Sequence, residues 1–272
     1  MNYQTFSPHP DLAAFVKSYW QLEVPADTSA EKQRVLPDGS IEMAFILADD
    51  VKRYNVAGEF SIQPRAMIIG QITEPFFVQP MGEVHSFAVS FYPYGFANFV
   101  DCPLNELANK DTPLEALFGD EAKALEQQVN AADNTAQLIA AVEAFLLNKL
   151  SESATIDRVV KSTVEALFET KGRQPISAIL EEQPTTRRNL ERKFKQQVGM
   201  SPKQLSKVAR MQAALQMLLN EEAESLTKIA YDNEYYDQAH FTKDFKEFTG
   251  NNPKDFLGNE QMRLSTMFYT KD

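Results

Sequence analysis

One cysteine, three histidines and no long apolar run are what this sequence most obviously has little of. A lone Cys102 excludes an internal disulfide framework, which fits a reducing compartment. It stands before Pro103 with no helpful neighbour and reads as a structural thiol. His9, His85 and His240 are far apart, whereas a barrel-type metal site usually gathers several histidines with a carboxylate. His85 beside Glu83 reads as a loop or strand-edge pair. No apolar stretch approaches the roughly 18 residues that span a bilayer. The start, MNYQTFSPHPDL, lacks the basic-then-apolar pattern of a signal peptide. A phosphate-cradling glycine loop and a Gly-x-Ser-x-Gly elbow are missing too. The expectation is a cytoplasmic protein with no enzymatic activity, no cofactor, no metal and no membrane partner. A barrel-type metalloenzyme is the weaker alternative.

A net charge of −11 also argues at first against a nucleic-acid partner. The charge is unevenly spread, however. Residues 1–154 hold 9 Lys and Arg against 21 Asp and Glu, a balance of −12. Residues 155–272 hold 18 against 17, a balance of +1. Within 171–210 there are 10 basic residues and 3 acidic ones, a balance of +7. Affinity for phosphate follows the charge that faces the duplex, so such a stripe is what DNA binding needs. A solvated charged face gives the same count.

The first hundred residues read as strands and turns. Pro37-Asp38-Gly39-Ser40 is a turn signal: proline presets φ, aspartate bonds nearby backbone and glycine accepts positive φ. Ile41–Leu47, Ala66–Ile72, Phe76–Val78 and Phe87–Phe91 are β-like runs separated by prolines and glycines. Such punctuation suggests a small barrel or sandwich, with Val16, Tyr19, Trp20 and Leu22 in the same core. The aromatics Phe45, Phe60, Phe76, Phe77, Phe87 and Phe91 could line a hydrophobic ligand site, although packed core is the simpler reading. From Leu104 to Leu150 apolar residues recur at helical spacing. Residues 151–155 are small and polar, as in a linker, and helical periodicity continues beyond them.

A repeat of about 50 residues is the most informative pattern. Ile176 and Ile179 recur as Leu226 and Ile229, an offset of 50. Leu190, Phe194, Gly199, Pro202, Lys203 and Leu205 recur as Phe241, Phe245, Gly250, Pro253, Lys254 and Phe256, an offset of 51. Two copies make a duplicated unit, not a solenoid. Each copy predicts a short helix (Ile176–Glu182 and Leu226–Asn233), a tight turn, and a second helix with apolar residues four apart. Thr185 or Thr186 can cap the second helix of the first copy, and Asp237 that of the second. Gly199 and Gly250 stop those helices by accepting a left-handed conformation. The result is two helix-turn-helix units, joined by an apolar-periodic helix over Pro202–Leu219.

The second helices expose Arg187, Arg188, Glu191, Arg192 and Lys195 in one unit. In the other they expose Gln238, Ala239, His240, Thr242, Lys243 and Lys246. Arginine and glutamine can make paired hydrogen bonds to guanine and adenine edges in the major groove. Thr186, Lys195, Lys203, Thr242 and Lys246 are read as phosphate contacts, which position without specifying sequence.

These residues carry a resemblance. Leu226-Thr-Lys-Ile-Ala230, Tyr236-Asp-Gln-Ala-His-Phe241, Phe245-Lys246, Gly250 and Pro253 are similar to the C-terminal signature of AraC-type transcriptional regulators. Arg187 to Phe194, with Gly199-Met-Ser-Pro-Lys203, resembles that family's first unit. The likeness covers about residues 156–258. It implies two recognition helices in successive major-groove segments on one face of the DNA, with base-edge roles for Arg188, Glu191, Arg192, Gln238, Ala239, His240 and Lys243. The chain departs from the family pattern at the turn glycines, replaced by Pro184 and Glu234, and at Leu180 and Gln183. A proline at 184 fixes φ near −65° and bars the left-handed turn.

His9-Pro10, Tyr19-Trp20, Leu36-Pro-Asp-Gly-Ser40, Phe91 to Gly95 and Pro113-Leu114 with Leu117 resemble a β-rich domain that precedes this module in many bacterial regulators. The fold class expected is therefore α+β. A β-barrel-like (cupin-like) domain with helices precedes an all-α domain of two tandem helix-turn-helix units. The boundaries read as 1–150 for a sensory or dimerising domain (helical over 103–150), 151–155 for a linker, 156–258 for the DNA-binding domain and 259–272 for a tail. Promoter DNA, a small-molecule effector, RNA polymerase and a second copy of the chain are the candidate partners. A protein-interaction module that keeps the helix-turn-helix fold but binds DNA weakly is the alternative.

Overall fold

Two antiparallel sheets face each other in the N-terminal region of the computed structural model, which describes residues 1–26, 31–55, 57–150, 156–220 and 225–270. The strands are β1 (Asn2–Phe6), β2 (Val16–Val24), β3 (Gln33–Val35), β4 (Ile41–Ile46), β5 (Val51–Tyr54), β6 (Phe60–Ile62), β7 (Ala66–Ile69), β8 (Phe76–Pro80), β9 (Val84–Phe91) and β10 (Asp111–Pro113). One sheet has the order β1-β2-β9-β4-β7-β10, the other β3-β8-β5-β6. The sheets stay separate and do not close into a continuous barrel. A buried ion pair bridges them: Arg53 on β5 meets Asp111 on β10. Gln63 Nε2 also donates to Asp111 at 2.9 Å, and the Arg53 guanidinium lies 3.5 Å over the Phe76 ring.

Alternation along the strands divides the six-stranded sheet into two chemically different faces. Tyr19, Ile41, Met43, Phe45, Ile68, Phe87, Val89 and Phe91 are buried on the outer face. That face is covered by α1 (Leu114–Phe118), α2 (Asp120–Asn130) and α3 (Thr135–Lys149), through Leu125, Val129, Leu138, Val142 and Leu146. Each such buried side chain contributes about 1.5–3 kcal/mol. Trp20 and Leu22 point to the opposite, inner face, so they do not share the core of Val16 and Tyr19 as the sequence suggested. A one-residue difference in phase separates them. Leu104–Glu106 forms a short 3-10 turn, and β10 intervenes before the α-helices start at Leu114.

The rest of the described chain is helical: α4 (Arg158–Glu169), α5 (Ile176–Glu181), α6 (Arg187–Gln197), α7 (Pro202–Leu219), α8 (Leu226–Asp232), α9 (Gln238–Thr249), α10 (Pro253–Phe256) and α11 (Arg263–Thr270). The linker expected at 151–155 lies outside the described residues. Helix α7 starts on a capping box, Ser201 with Gln204, and has Pro202 in its first turn, where a missing N–H costs nothing. Its 18 residues make a rod about 27 Å long. Val160, Leu190, Phe194, Met211, Leu215, Phe241 and Phe245 meet in one core around it. No described helix is long and apolar enough to cross a membrane.

The two halves share that core. Leu36 and Tyr94, both N-terminal, are buried within it. The Pro37–Ser40 turn forms as its chemistry requires: Asp38 accepts from the Ser40 N–H at 2.9 Å, and Gly39 has φ +81°. The loop then docks on the helices. Gln212 of α7 donates to the Asp38 carbonyl at 2.5 Å, and the Tyr269 hydroxyl of α11 donates to the Pro37 carbonyl at 2.9 Å.

Candidate nucleic-acid interface and effector cavity

Thr186 caps α6, its side chain accepting from the Asn189 N–H, and Gly199 follows the helix with φ +88°. Leu190 and Phe194 are fully buried, which leaves Arg187, Arg188, Glu191, Arg192 and Lys195 exposed on the other side. Arg192 is splayed along the helix by Gln196 at 3.0 Å and Asn189 at 2.8 Å. Arg187 pairs with Glu191 at 3.2 Å. Lys193 turns inward to Asp157 at the start of α4, where that cation and two backbone amides hold the Asp157 carboxyl below its usual range against the opposing effect of burial. The turn before α6 contains no residue with positive φ, so Pro184 is accommodated by a different turn.

The second unit keeps the left-handed turn. Glu234 occupies it with φ +56°, a conformation that disfavours a side chain. Asp237 caps α9 by accepting from the His240 N–H at 2.7 Å, and Gly250 closes the helix with φ +77°. Gln238, Ala239, His240, Lys243 and Lys246 are exposed, while Phe241 and Phe245 are buried. Thr227 donates to the Gln238 side chain at 2.8 Å and joins α8 to α9. Lys207 of α7 reaches Glu247 of α9 at 3.1 Å, a largely exposed pair between the two helices.

A cavity of about 1050 Å³ lies between the two sheets and reaches the helical half. Its origin is the small side chains on the inner face. Ala44 stands opposite Ala88, and Glu42 opposite Ser90, in the centre of the sheet. Trp20, Leu22, Ile46, Met67, Phe76 and Val78 complete its apolar wall. Gln212, Ala213 and Gln216 of α7 line it as well, as do Leu264 and Phe268 of α11. Phe268 packs edge-on against Tyr3 at 5.2 Å and beside Trp20 at 5.6 Å.

Residues 181–259 match the family described as a helix-turn-helix domain, and residues 4–113 a domain of unknown function (DUF6597). The C-terminal domain is of the AraC helix-turn-helix type. The chain is a DNA-binding transcription regulator. Among solved structures, ToxT from Vibrio cholerae is similar at 12% identity, over 94% of this chain and 98% of that one, with a TM-score of 0.49. ToxT from Vibrio cholerae O395 bound to (E)-4-(8-methylnaphthalen-1-yl)but-3-enoic acid is similar at the same identity, coverage and score. Unsaturated fatty acid bound wild-type ToxT from strain SCE256 is similar at 12% identity over 87% and 93%, with a TM-score of 0.44. No curated protein matches the chain.

In the regulator, the residues expected to face DNA sit on the exposed sides of α6 and α9 and at the start of α7, with one exception. Thr242 is half-buried, and its hydroxyl donates to the Gln238 carbonyl at 2.8 Å, so its proton is already committed. Tyr231 and Tyr236, 81% and 93% exposed beside α9, were not singled out as site residues. An isolated tyrosine gives no periodic signal, and only its exposure in the fold makes it a contact candidate. His85 bonds Gln21 across β2 and β9 at 3.0 Å instead of pairing with Glu83. Of the aromatics expected to be core or cavity, Phe45, Phe87 and Phe91 are buried core, Phe45, Phe76 and Phe91 also touch the cavity, and Phe60 is 54% exposed, while Trp20 and Phe268 add aromatic wall that the sequence did not suggest.

Proposed function

We propose that α6 and α9 enter the major groove of operator DNA and that a small molecule in the inter-sheet cavity changes how they engage it. The observation that carries the first part is the pair of capped helices, each buried by two large apolar residues and exposing cationic and amide side chains. Arg187, Arg188, Glu191 and Arg192 read base edges from α6, and Gln238, Ala239, His240 and Lys243 from α9. Lys195, Lys203 and Lys246 hold phosphates, with the exposed Tyr236 hydroxyl as a further donor. Thr186 keeps its O–H for a phosphate while its oxygen caps α6. The second part rests on the cavity wall. Residues of α7 line it, and α7 carries both units, so occupancy acts on the rod that spaces them. The cytoplasm is the proposed compartment.

Selection of bound fragments from random duplex DNA by the purified protein, followed by binding at increasing salt, tests this reading. A two-part site recovered with affinity falling steeply as salt rises is expected, because several phosphates are contacted. A salt-independent response, or no enriched sequence, would sink it.

A further inference from the structure

The inner face of the six-stranded sheet is apolar or small except at one end, where a carboxyl group stands. Glu42 is the second residue of β4, and its Oε1 accepts from Trp20 Nε1 at 3.0 Å. Among the described residues, no cation comes within 4 Å of this carboxylate and no second hydrogen bond reaches it. Its accessible surface belongs to the cavity wall. Ser90, directly across in the register, is the polar neighbour on β9. Asp38, in the loop before β4, adds a like charge, and the attraction of Lys17 on β2 is the smallest of the effects on the group. Burial first, then Asp38, push the Glu42 carboxyl up to about 8. Between the sheets the cavity is lined by Leu22, Ile46, Met67, Val78 and Phe268, and its charged lining residues include Lys17 on β2 and Lys161, Glu165 and Lys171 toward the helical half.

We propose that the cavity binds an apolar molecule bearing a single protonated amine, with the ammonium held by Glu42 against the Trp20 indole. The proposal rests on the reading of this cavity as the effector site. A carboxyl group withdrawn from water is costly to ionise without a partner, and a ligand ammonium supplies that partner. The indole is the aromatic face best suited to a cation. An alkyl or aryl body then removes the apolar wall from water at about 25 cal/mol per Å². An anionic ligand at this end would instead face Glu42 and Asp38.

Trp20 is the only tryptophan in the chain, so its fluorescence reports on the site directly. The full-length protein is titrated with n-octylamine, n-octanol and octanoate at pH 7, below their aggregation limits. The expected result is a saturable Trp20 response to octylamine at a concentration at least tenfold lower than for the other two. Glu42→Gln should abolish that preference without lowering the melting temperature. Glu42→Asp, with its charge drawn back by one methylene, should retain the preference at weaker affinity. Octanoate or octanol binding as tightly as octylamine overturns the amine, as does octylamine binding unchanged in Glu42→Gln, while both leave the cavity as an effector site. No Trp20 response to any of the three overturns the effector site too. Operator binding, measured separately by anisotropy, is unaffected by either failure.

Discussion

Glu234 holds φ +56° in the turn between α8 and α9, a place where the related pattern has glycine. A side chain there costs about 1 kcal/mol relative to glycine. Glu234→Gly should therefore raise the unfolding free energy by about 1 kcal/mol. It should leave operator affinity within twofold, since the cap of α9 is made by Asp237 and not by Glu234. Urea unfolding checks it, and a destabilised variant would mean that the carboxylate itself holds the turn. The two substituted turn positions illustrate what residue-level reading can reach. At 184 proline barred the left-handed conformation, and the turn is made without it. At 234 only the structure reveals that the strained conformation is kept.

Glu42 gives a second prediction at this scale. Its folded-state carboxyl is raised to about 8, well above an unfolded glutamate near 4.3. Folded protein therefore binds more protons than unfolded protein between those values, and stability falls as pH rises through that window. Below it both states are protonated and the destabilisation vanishes. Glu42→Gln removes the group, so the stability difference between variant and wild type should grow from about pH 4.5 to 8 and then level off, by up to a few kcal/mol. Parallel melting curves across that range would show the carboxyl to be solvated.

At the scale of elements, α7 was legible to the residue because its own sequence carries every signal: Ser201 as cap, Pro202 at the first turn and an uninterrupted apolar period. The helix-turn-helix units were legible because they occur twice. The inner cavity was not. Alternation in β2 separates Tyr19 from Trp20, yet nothing local says that Ala44 and Ala88 will face each other across two strands. Helix α11 was read as part of a tail for a similar reason, since its partners lie some 230 residues away. Leu264 N–H donates to Gln33 at 3.0 Å, and the Ser265 hydroxyl to the Arg34 carbonyl. Leu264 and Phe268, four apart, place one apolar stripe over Trp20 and Leu22. Phe268→Ala leaves that stripe without its ring. It should cost about 2 kcal/mol, below the range for a fully buried phenylalanine because Phe268 is only half-buried. The Trp20 emission should shift to the red as water enters. An unshifted spectrum at unchanged stability would show that α11 does not cover the cavity.

Across the whole molecule, charge and coupling are arranged in opposite senses. The negative surplus lies in the N-terminal half, and the basic stripe of 171–210 lies in the unit proposed to meet DNA. The halves are nonetheless tied through the Pro37–Ser40 loop, which hands its carbonyls to Gln212 and Tyr269 and accepts Gln71 at 2.7 Å. A Cβ on Gly39 would come 2.9 Å from Leu205 Cδ1 and 3.2 Å from Phe168 Cζ. The residue also has φ +81°, where a β-branched side chain is strained. Gly39→Val should therefore prise the loop from α4 and α7, at a cost on the order of 1–3 kcal/mol. The shared core of Leu36, Tyr94 and the helices should make wild-type unfolding one transition, with Trp20 fluorescence and far-ultraviolet dichroism coinciding in urea. In Gly39→Val the fluorescence of the N-terminal sheets and the dichroism dominated by the helices should separate into two midpoints. Coincident curves with an unmoved midpoint would show that the loop merely touches the helices, and that any signal from the cavity reaches α7 by another route.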